Sequence, residues 1–370
     1  MRISTPSFVL TLALVAIGCD KQTEPTTPPT APTTPAEPTP VAVSPIPAGF
    51  FALTPNITVK GADAAVDFYV KAFGATKLFT LPGPDGKTMH AEIKIGDSVI
   101  MIDEETPEGG KSPATLGGSP ATLMIYSANA DEAFAAAIAA GATAQMPVEE
   151  QFWGDRYGQL VDPFGHQWAI STHVEDVTPE QMGQRAAIVM ASMDPKAKKK
   201  KKKKKGAPPE WKAIAGTAAP SPTPAQYHTV TASYVLDNAS AAIEFYKSVF
   251  SAVEKGRMAM PDGKLMHAEL AFGDSVIMLS DEMPGMSKSA KTIGGSPVSL
   301  MFYTPDVDGV FAKATSAGAT PAIPVADMFW GDRFGMIVGP DGYGWGVATH
   351  KEDLTPAQIA ERMKKQKPPA

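Results

Sequence analysis

The stretch Met89-His90-Ala91-Glu92-Ile93-Lys94-Ile95-Gly96-Asp97-Ser98-Val99-Ile100-Met101-Ile102-Asp103 alternates apolar and polar residues on either side of a Gly-Asp dipeptide. Period-two alternation marks a strand with one buried face. Gly-Asp suits a tight two-residue turn with glycine first, so the stretch reads as a β-hairpin. The turn fixes the register, which sorts the side chains. With Ile95 opposite Ser98, Glu92 faces Met101 and His90 faces Asp103. Ala91, Ile93, Ile95, Ile100 and Ile102 form an apolar face that must be covered; His90, Glu92, Lys94, Met101 and Asp103 form the other. The stretch returns as Met266 to Ser280, with Ala268, Leu270, Phe272, Ile277 and Leu279 on the apolar face. His267, Glu269, Met278 and Ser280 lie on the polar one. That polar face is either plain solvent surface or the inside of a cup.

Outward from the hairpin, the pattern stays regular. Upstream, Asn56 to Lys60 reads as a strand and Ala62 to Phe73 as an amphipathic helix ended by Gly74. Thr76 to Thr80 adds a strand before the hairpin, giving a βαβββ unit. A Gly/Pro-rich loop over 105–120 leads to a second such unit. It comprises a strand at Thr122–Tyr126, an Ala-rich helix at Asp131–Ala140, and strands at Thr143–Val148, Asp155–Val161 and Gln167–Thr172. Thr178 to Met190 reads as a trailing helix, with Thr178 as N-cap and Gln181 three residues on. The whole arrangement then recurs 177 residues later without a gap: Phe68-Tyr69 maps to Phe245-Tyr246, His90 to His267, Trp153 to Trp330 and His173 to His350. This is duplication of a domain.

The 370 residues, 44% of them hydrophobic, suffice for two ordinary domains with tails. The net charge of −6 conceals an unbroken run from Lys198 to Lys205, so the folded parts are more acidic than the total suggests. That excludes nucleic acid as the expected partner of the domains. The lysine run, in a linker over 183–227, reads either as a solvated spacer or as an attachment to an anionic surface. The single cysteine, Cys19, rules out an intrachain disulfide and a thiolate metal cluster. Residues 20–50 are Pro/Thr-rich and read as an extended tether; residues 361–370 form a basic tail.

Two resemblances follow. Residues 1–19 carry Arg2 and an apolar run from Phe8 to Ile17, shorter than the roughly 20 residues of a membrane span. Their end, Ala16-Ile17-Gly18-Cys19, resembles a bacterial lipobox, departing from it at Ala16, where the family prefers Leu. The resemblance implies export, lipidation of Cys19, and anchoring in the bacterial cell envelope.

The second resemblance rests on Asp67-Phe68-Tyr69, Phe73-Gly74-Ala75, Met89-His90-Ala91-Glu92, Gly96-Asp97-Ser98, Gly117-Gly118-Ser119-Pro120, Phe152-Trp153-Gly154-Asp155-Arg156 and Asp162-Pro163-Phe164-Gly165-His166. Together these are similar to the vicinal oxygen chelate superfamily (glyoxalase, bleomycin-resistance protein, extradiol dioxygenase) in its PhnB-like branch, over residues 51–182 and 228–360. The implied fold is α+β: tandem domains, each of two βαβββ modules forming a curved mixed-sheet cup with helices outside.

Metal-using members place His and Glu ligands on four cup-lining strands. Here those positions fall on Thr54, Met101, Thr122 or Met124, and Ala169. In the second copy they fall on Thr231, Met278, Ser299 or Met301, and Gly346. None is a His, Glu or Asp, and hydroxyls and thioethers are poor ligands for hard or borderline divalent ions. No cofactor is therefore expected at those positions. A displaced site remains open: His90, Glu92 and Asp103 share a face, with alternate residues about 6.6 Å apart along a strand.

The expected ligand-binding cup comprises His90, Glu92, Met101, Asp103, Trp153 and Arg156, with His267, Glu269, Met278, Trp330 and Arg333 in the second copy. A tryptophan could wall the cup and an arginine could clamp a carboxylate or phosphate. The alternative is an Asp-Arg pair that pins a turn, with the tryptophan in the core. His173 and His350 are expected to cap or pack the trailing helix. The favoured function is binding or sequestering a small molecule. The alternatives are a metal-dependent lyase, isomerase or dioxygenase using a displaced site, and an envelope scaffold whose domains pair with each other or as a homodimer. Whether each domain closes its own cup or the copies share cups stays open at this point.

Overall fold

The computed structural model describes residues 43–193 and 209–365. The export-like segment 1–19 with Cys19, most of the tether, the Lys198–Lys205 run and the end of the basic tail lie outside the described residues. Among the described residues no helix is long and apolar enough to cross a membrane.

The first repeat runs β1 Leu53–Val59, α1 Ala62–Phe73, β2 Thr76–Pro82, β3 Thr88–Ile95, β4 Ser98–Glu104, α2 Pro113–Leu116, β5 Ala121–Tyr126, α3 Ala130–Ala140, β6 Thr143–Glu150, β7 Asp155–Val161 and β8 Gln167–His173. A short β9 Glu175–Asp176 and α4 Pro179–Met193 follow. The second repeat begins with a 3-10 turn at Glu210–Ala213 and β10 Thr217–Ala218. It continues with β11 Val230–Leu236, α5 Ala239–Phe250, β12 Val253–Ala259, β13 Leu265–Phe272, β14 Ser275–Asp281, α6 Ala290–Ile293 and β15 Val298–Tyr303. It ends with α7 Val307–Ser316, β16 Thr320–Asp327, β17 Asp332–Val338, β18 Gly344–His350 and α8 Pro356–Lys365.

The hairpin folds as its alternation requires. His90 pairs with Asp103, Glu92 with Met101 and Ile95 with Ser98. Ala91, Ile93, Ile95, Ile100 and Ile102 all enter the main core beneath the helices. The capping pair of the trailing helix also forms, with the Thr178 N–H donating to Gln181 Oε1 at 2.9 Å and the Gln181 N–H to Thr178 Oγ1 at 3.3 Å. Gly74 ends α1 in the left-handed region at φ 66°, a conformation that glycine adopts without a Cβ penalty.

The βαβββ modules are exchanged between repeats. One eight-stranded sheet has the order β16-β17-β18-β15-β1-β4-β3-β2, and the other β12-β13-β14-β11-β5-β8-β7-β6. Each sheet joins the first module of one repeat to the second module of the other, through antiparallel β1–β15 and β11–β5 pairs. Within a repeat the two modules are held by their helix-side faces. Tyr69 of α1 donates to Asp162 Oδ2 at 2.7 Å, and His166 Nε2 contacts the Thr58 carbonyl at 2.9 Å.

The hairpin turns act as clasps between repeats. Asp97 Oδ1 accepts from the Thr229 N–H at 2.8 Å and Ser98 Oγ from the Val230 N–H at 3.0 Å. Reciprocally, Asp274 Oδ1 accepts from the Ala52 N–H at 2.9 Å and Ser275 Oγ from the Leu53 N–H at 3.1 Å. Phe51 stacks on His228 between the two clasps, centroids 3.4 Å apart. A Cβ added to Gly96 (φ +59°) would lie 2.3 Å from Thr229 Oγ1, whereas one on Gly273 would lie 3.2 Å from the Ala52 Cβ. Gly96→Ala is therefore expected to cost about 2 kcal/mol and Gly273→Ala about 1 kcal/mol, read by urea unfolding.

Two expected segments require correction. Residues 43–50, assigned to the tether, and 209–227, assigned to the linker, are ordered. The first is a strap whose Pro45 carbonyl accepts from the His350 N–H at 3.0 Å; in the second, the Pro222 carbonyl accepts from the His173 N–H at 2.9 Å. Ser44-Pro45-Ile46-Pro47-Ala48-Gly49-Phe50 is the counterpart of Ser221-Pro222-Thr223-Pro224-Ala225-Gln226-Tyr227, so the duplication begins upstream of Thr54. Trp211 is buried under Arg185, whose guanidinium sits 5.3 Å from its ring and pairs with Glu175 at 2.8 Å.

Candidate functional site

The concave faces of the two sheets carry the polar hairpin residues. In the first cup, β3 and β4 contribute His90, Glu92, Met101 and Asp103, and β1 contributes Asn56 beside Met101. The second repeat supplies the opposite wall: Met301, Tyr303, Trp330, Phe334, Met336 and Ala348, with Ile46 and Phe50 of the strap packed on them. The second cup mirrors this arrangement. His267, Glu269 and Met278 come from the second repeat, and Met124, Tyr126, Tyr157 and Ala169 from the first, with Tyr227 of the strap against them.

His90 is held as a cation. Its Nδ1 lies 2.7 Å from Asp103 Oδ1, and its Nε2 lies 3.8 Å from Glu92 Oε1. Asn56 Nδ2 donates to the second Asp103 oxygen at 2.7 Å, leaving Asn56 Oδ1 buried with no partner. Burial opposes charge on the ring, but the hydrogen bond to Asp103 and the negative charges of Asp103 and Glu92 outweigh it and raise the His90 pKa to about 9. A raised histidine pKa stabilises the fold most below its unfolded value and is lost as pH rises through the folded one. The unfolding free energy is therefore expected to fall by roughly 3 kcal/mol between pH 6 and pH 9.5 on account of His90. His90→Gln should remove most of that slope in urea titrations across the range. His166 acts in the opposite sense: burial lowers its pKa, so its contribution declines as pH falls below neutral.

In the second cup Ser280 and Ser233 replace Asp103 and Asn56, and His267 Nε2 lies 3.2 Å from Glu269 Oε1. Burial opposes the Glu269 carboxylate, but hydrogen bonds from His267 and the Tyr227 hydroxyl hold its carboxyl below the ordinary range. Tyr227 stacks on Tyr126, with centroids 5.5 Å apart and planes at 18°.

The tryptophans and arginines of the two Trp-Gly-Asp-Arg motifs separate. Trp330 donates to Asp332 Oδ2 at 3.2 Å and packs on the first cup's aromatic wall. Trp153 packs edge-on against Tyr157 at 5.5 Å. Arg156 and Arg333 face the helices, which corrects their assignment to the cup. Arg156 grips Asp131 at the start of α3, with Nη2 donating to Oδ1 at 2.6 Å, and Arg333 grips Asp308 of α7 through two 2.7 Å bonds. Asp155 and Arg156 are neighbours on β7, so their side chains leave opposite faces. The aspartates are the cup residues that the motif conceals. Asp155 accepts from Tyr126 at 3.1 Å and Ser171 at 2.8 Å and pairs with His173 at 2.8 Å. Asp332 likewise pairs with His350 at 2.7 Å, so both histidines close the cup ends as well as meeting Asp176 and Asp353.

The four positions where a metal-using relative would carry ligands mix the repeats. Thr54, Met101, Met301 and Gly346 line one sheet, and Thr231, Met278, Met124 and Ala169 the other. Two thioethers, a hydroxyl and a position without a donor do not fit a hard or borderline divalent ion. At the displaced set, His90 directs both ring nitrogens at carboxylates, an ion-paired cluster with no nitrogen lone pair turned outward. Among the described residues no three His, Cys, Asp or Glu side chains are grouped to hold a metal ion.

The comparisons agree with this architecture. The sequence profile of the Glyoxalase/Bleomycin resistance protein/Dioxygenase superfamily matches residues 51–170 and 227–347. An uncharacterised protein of Mycobacterium bovis is 44% identical over 135 residues, covering 35% of this chain and 89% of the relative. An uncharacterised protein of Arabidopsis thaliana is 32% identical over 124 residues, covering 31% of this chain and 73% of that protein. Among solved structures, glyoxalase I from Zea mays superimposes with a TM-score of 0.52 at 11% identity, over 80% of this chain and 91% of that one, a likeness of fold. With the profile matching both repeats, the chain belongs to the glyoxalase/bleomycin resistance protein/dioxygenase superfamily as a tandem of two vicinal-oxygen-chelate domains.

Proposed function

We propose that the protein binds or sequesters a small organic molecule in its cups and is held at the bacterial cell envelope through a lipidated Cys19. The observation that carries this reading is the wall chemistry. Polar groups, His90 with Glu92 and His267 with Glu269, sit at the centre of concave faces otherwise lined by methionine and aromatic side chains. Such a lining suits an apolar ligand fixed by a few hydrogen bonds, and methionine adapts to irregular shapes. The thioethers and hydroxyls at the family's ligand positions favour binding over metal-assisted turnover. The tether before residue 43 and the run from Lys198 to Lys205 fit a protein that works beside an anionic surface.

The test has three arms. Thermal melting across a metabolite panel should give a stabilising shift with at least one compound. Metal analysis of protein purified without chelator, wild type against His90→Ala/His267→Ala, should find substoichiometric metal in both. One equivalent of metal that disappears in the variant would contradict the reading and favour a metal-dependent lyase, isomerase or dioxygenase. Cys19→Ala should release the protein from the membrane fraction; a variant still held there would contradict the anchor.

A further inference from the structure

The two cups share one design, yet their glutamates differ in one respect. In the second cup Glu269 lies 3.2 Å from His267 Nε2, and His267 together with the neighbouring Tyr227 hydroxyl holds its carboxyl below the ordinary range. The Tyr227 ring lies flat on Tyr126. Its counterpart in the first strap is Phe50, which meets Tyr303 edge-on at 5.9 Å and has no hydroxyl to offer. Glu92, with 23% of its side chain exposed, keeps only His90 at 3.8 Å as an ion-pair or hydrogen-bond partner among the described residues. His90 is drawn to Asp103 instead. Asn56 Oδ1, on the adjoining strand, is a buried acceptor with no partner. A half-buried carboxylate whose one partner stands at 3.8 Å leaves hydrogen-bonding capacity unused, beside a buried amide oxygen that has no donor, and a ligand's donor recovers part of it.

The second cup supplies that donor in the form of a phenol on a stacked ring. We propose that the first cup takes a small monohydroxylated aromatic molecule, its hydroxyl on Glu92 and its ring against Tyr303 and Met301, and that Tyr227 fills the equivalent place in the second cup as a built-in occupant. The proposal rests on reading the cups as small-molecule sites and adds the ligand class and the inequality of the two cups. Stacking on tyrosine and contact with thioether sulfur favour an aromatic ring over an aliphatic chain. The strap thereby makes one cup receptive and keeps the other closed.

The experiment uses the full chain with methyl-13C-labelled methionine and 4-ethylphenol as the probe, with ethylbenzene as the donor-free control. In wild type the methyl signals of Met101 and Met301 should shift, with one molecule bound per chain by calorimetry, while those of Met124 and Met278 stay in place. Ethylbenzene should bind at least tenfold more weakly. Tyr227→Phe should raise the stoichiometry to two and bring Met124 and Met278 into the response. Phe50→Tyr and Glu92→Gln should each weaken first-cup binding at least tenfold, with melting unchanged in Phe50→Tyr in the absence of probe. Equal response of both cups in wild type overturns the inference, as does no loss in Phe50→Tyr. If 4-ethylphenol leaves every cup methionine unmoved while another compound shifts Met101 and Met301, the ligand class is wrong and the cup reading stands. If no compound of the panel shifts any cup methionine, both fall.

Discussion

A chain shortened to residues 43–193 is expected to be recovered as a homodimer with no stable folded monomer. In the full protein β1 and β5 lie at the centres of the two sheets, each bonded to a strand of the other repeat over five residue pairs. Removing the second repeat leaves both as open edges and strips the Asp97 and Ser98 clasps of Thr229 and Val230. Each unmade backbone bond forfeits about 1 kcal/mol net, and the exposed edges invite pairing with another chain. Because the repeats are alike, β1 of one copy can pair with β5 of a second, and two short chains rebuild both sheets. Light scattering behind size exclusion reads the outcome; a folded, cooperatively melting monomer would contradict it.

Asp162→Ala is expected to lower stability by about 3–5 kcal/mol, because it strands several buried donors at once. The carboxylate is 4% exposed. It accepts from Tyr69 Oη at 2.7 Å, Trp168 Nε1 at 2.9 Å, and the backbone N–H groups of Phe164 and His166 at 2.9 Å each. These bonds tie α1 of the first module to the β7–β8 loop of the second. In the second repeat Gly339 stands at the position of Asp162, and Asp341, two residues on, accepts from Tyr246 and the Tyr343 N–H, while Trp345 Nε1 stays unpartnered. Asp341→Ala should therefore cost less, about 2–3 kcal/mol. Urea titrations of both variants provide the comparison, and an equal or reversed order would contradict this assignment of the donors.

The hairpin was legible because alternation and a two-residue turn leave one register that buries Ile93, Ile95, Ile100 and Ile102 together. The exchange of modules was not. Duplication at a fixed offset makes β5 and β15 chemically interchangeable partners for β1, so local pattern is equally satisfied by either pairing. The straps escaped for a compositional reason: Ser44 to Phe50 and Ser221 to Tyr227 sit in Pro/Thr-rich surroundings, and only their mutual likeness marks them. At the site, His90, Glu92, Met101 and Asp103 could be placed on one face from the alternation alone. The Trp-Gly-Asp-Arg motif read as one unit does not show where Arg156 and Arg333 go, because consecutive strand residues leave opposite faces and each arginine meets a helix aspartate there. Tyr126, Tyr303 and Tyr227 carry no motif; their importance comes from the aspartates and the glutamate that the fold brings to them from other strands.

The central claim, that each cup is built from both repeats, is tested most directly by cysteine cross-linking within one chain. In a Cys19→Ser background, Thr54→Cys with Met301→Cys places thiols on facing residues of β1 and β15, within the reach of a disulfide. Mild oxidation should close a bond inside the monomer of this variant, changing its mobility on non-reducing gels, while Thr54→Cys with Met124→Cys should form none. Cross-linking of the Thr54/Met124 pair within the monomer, with the Thr54/Met301 pair left reduced, would show that each repeat closes its own sheet and would contradict the account.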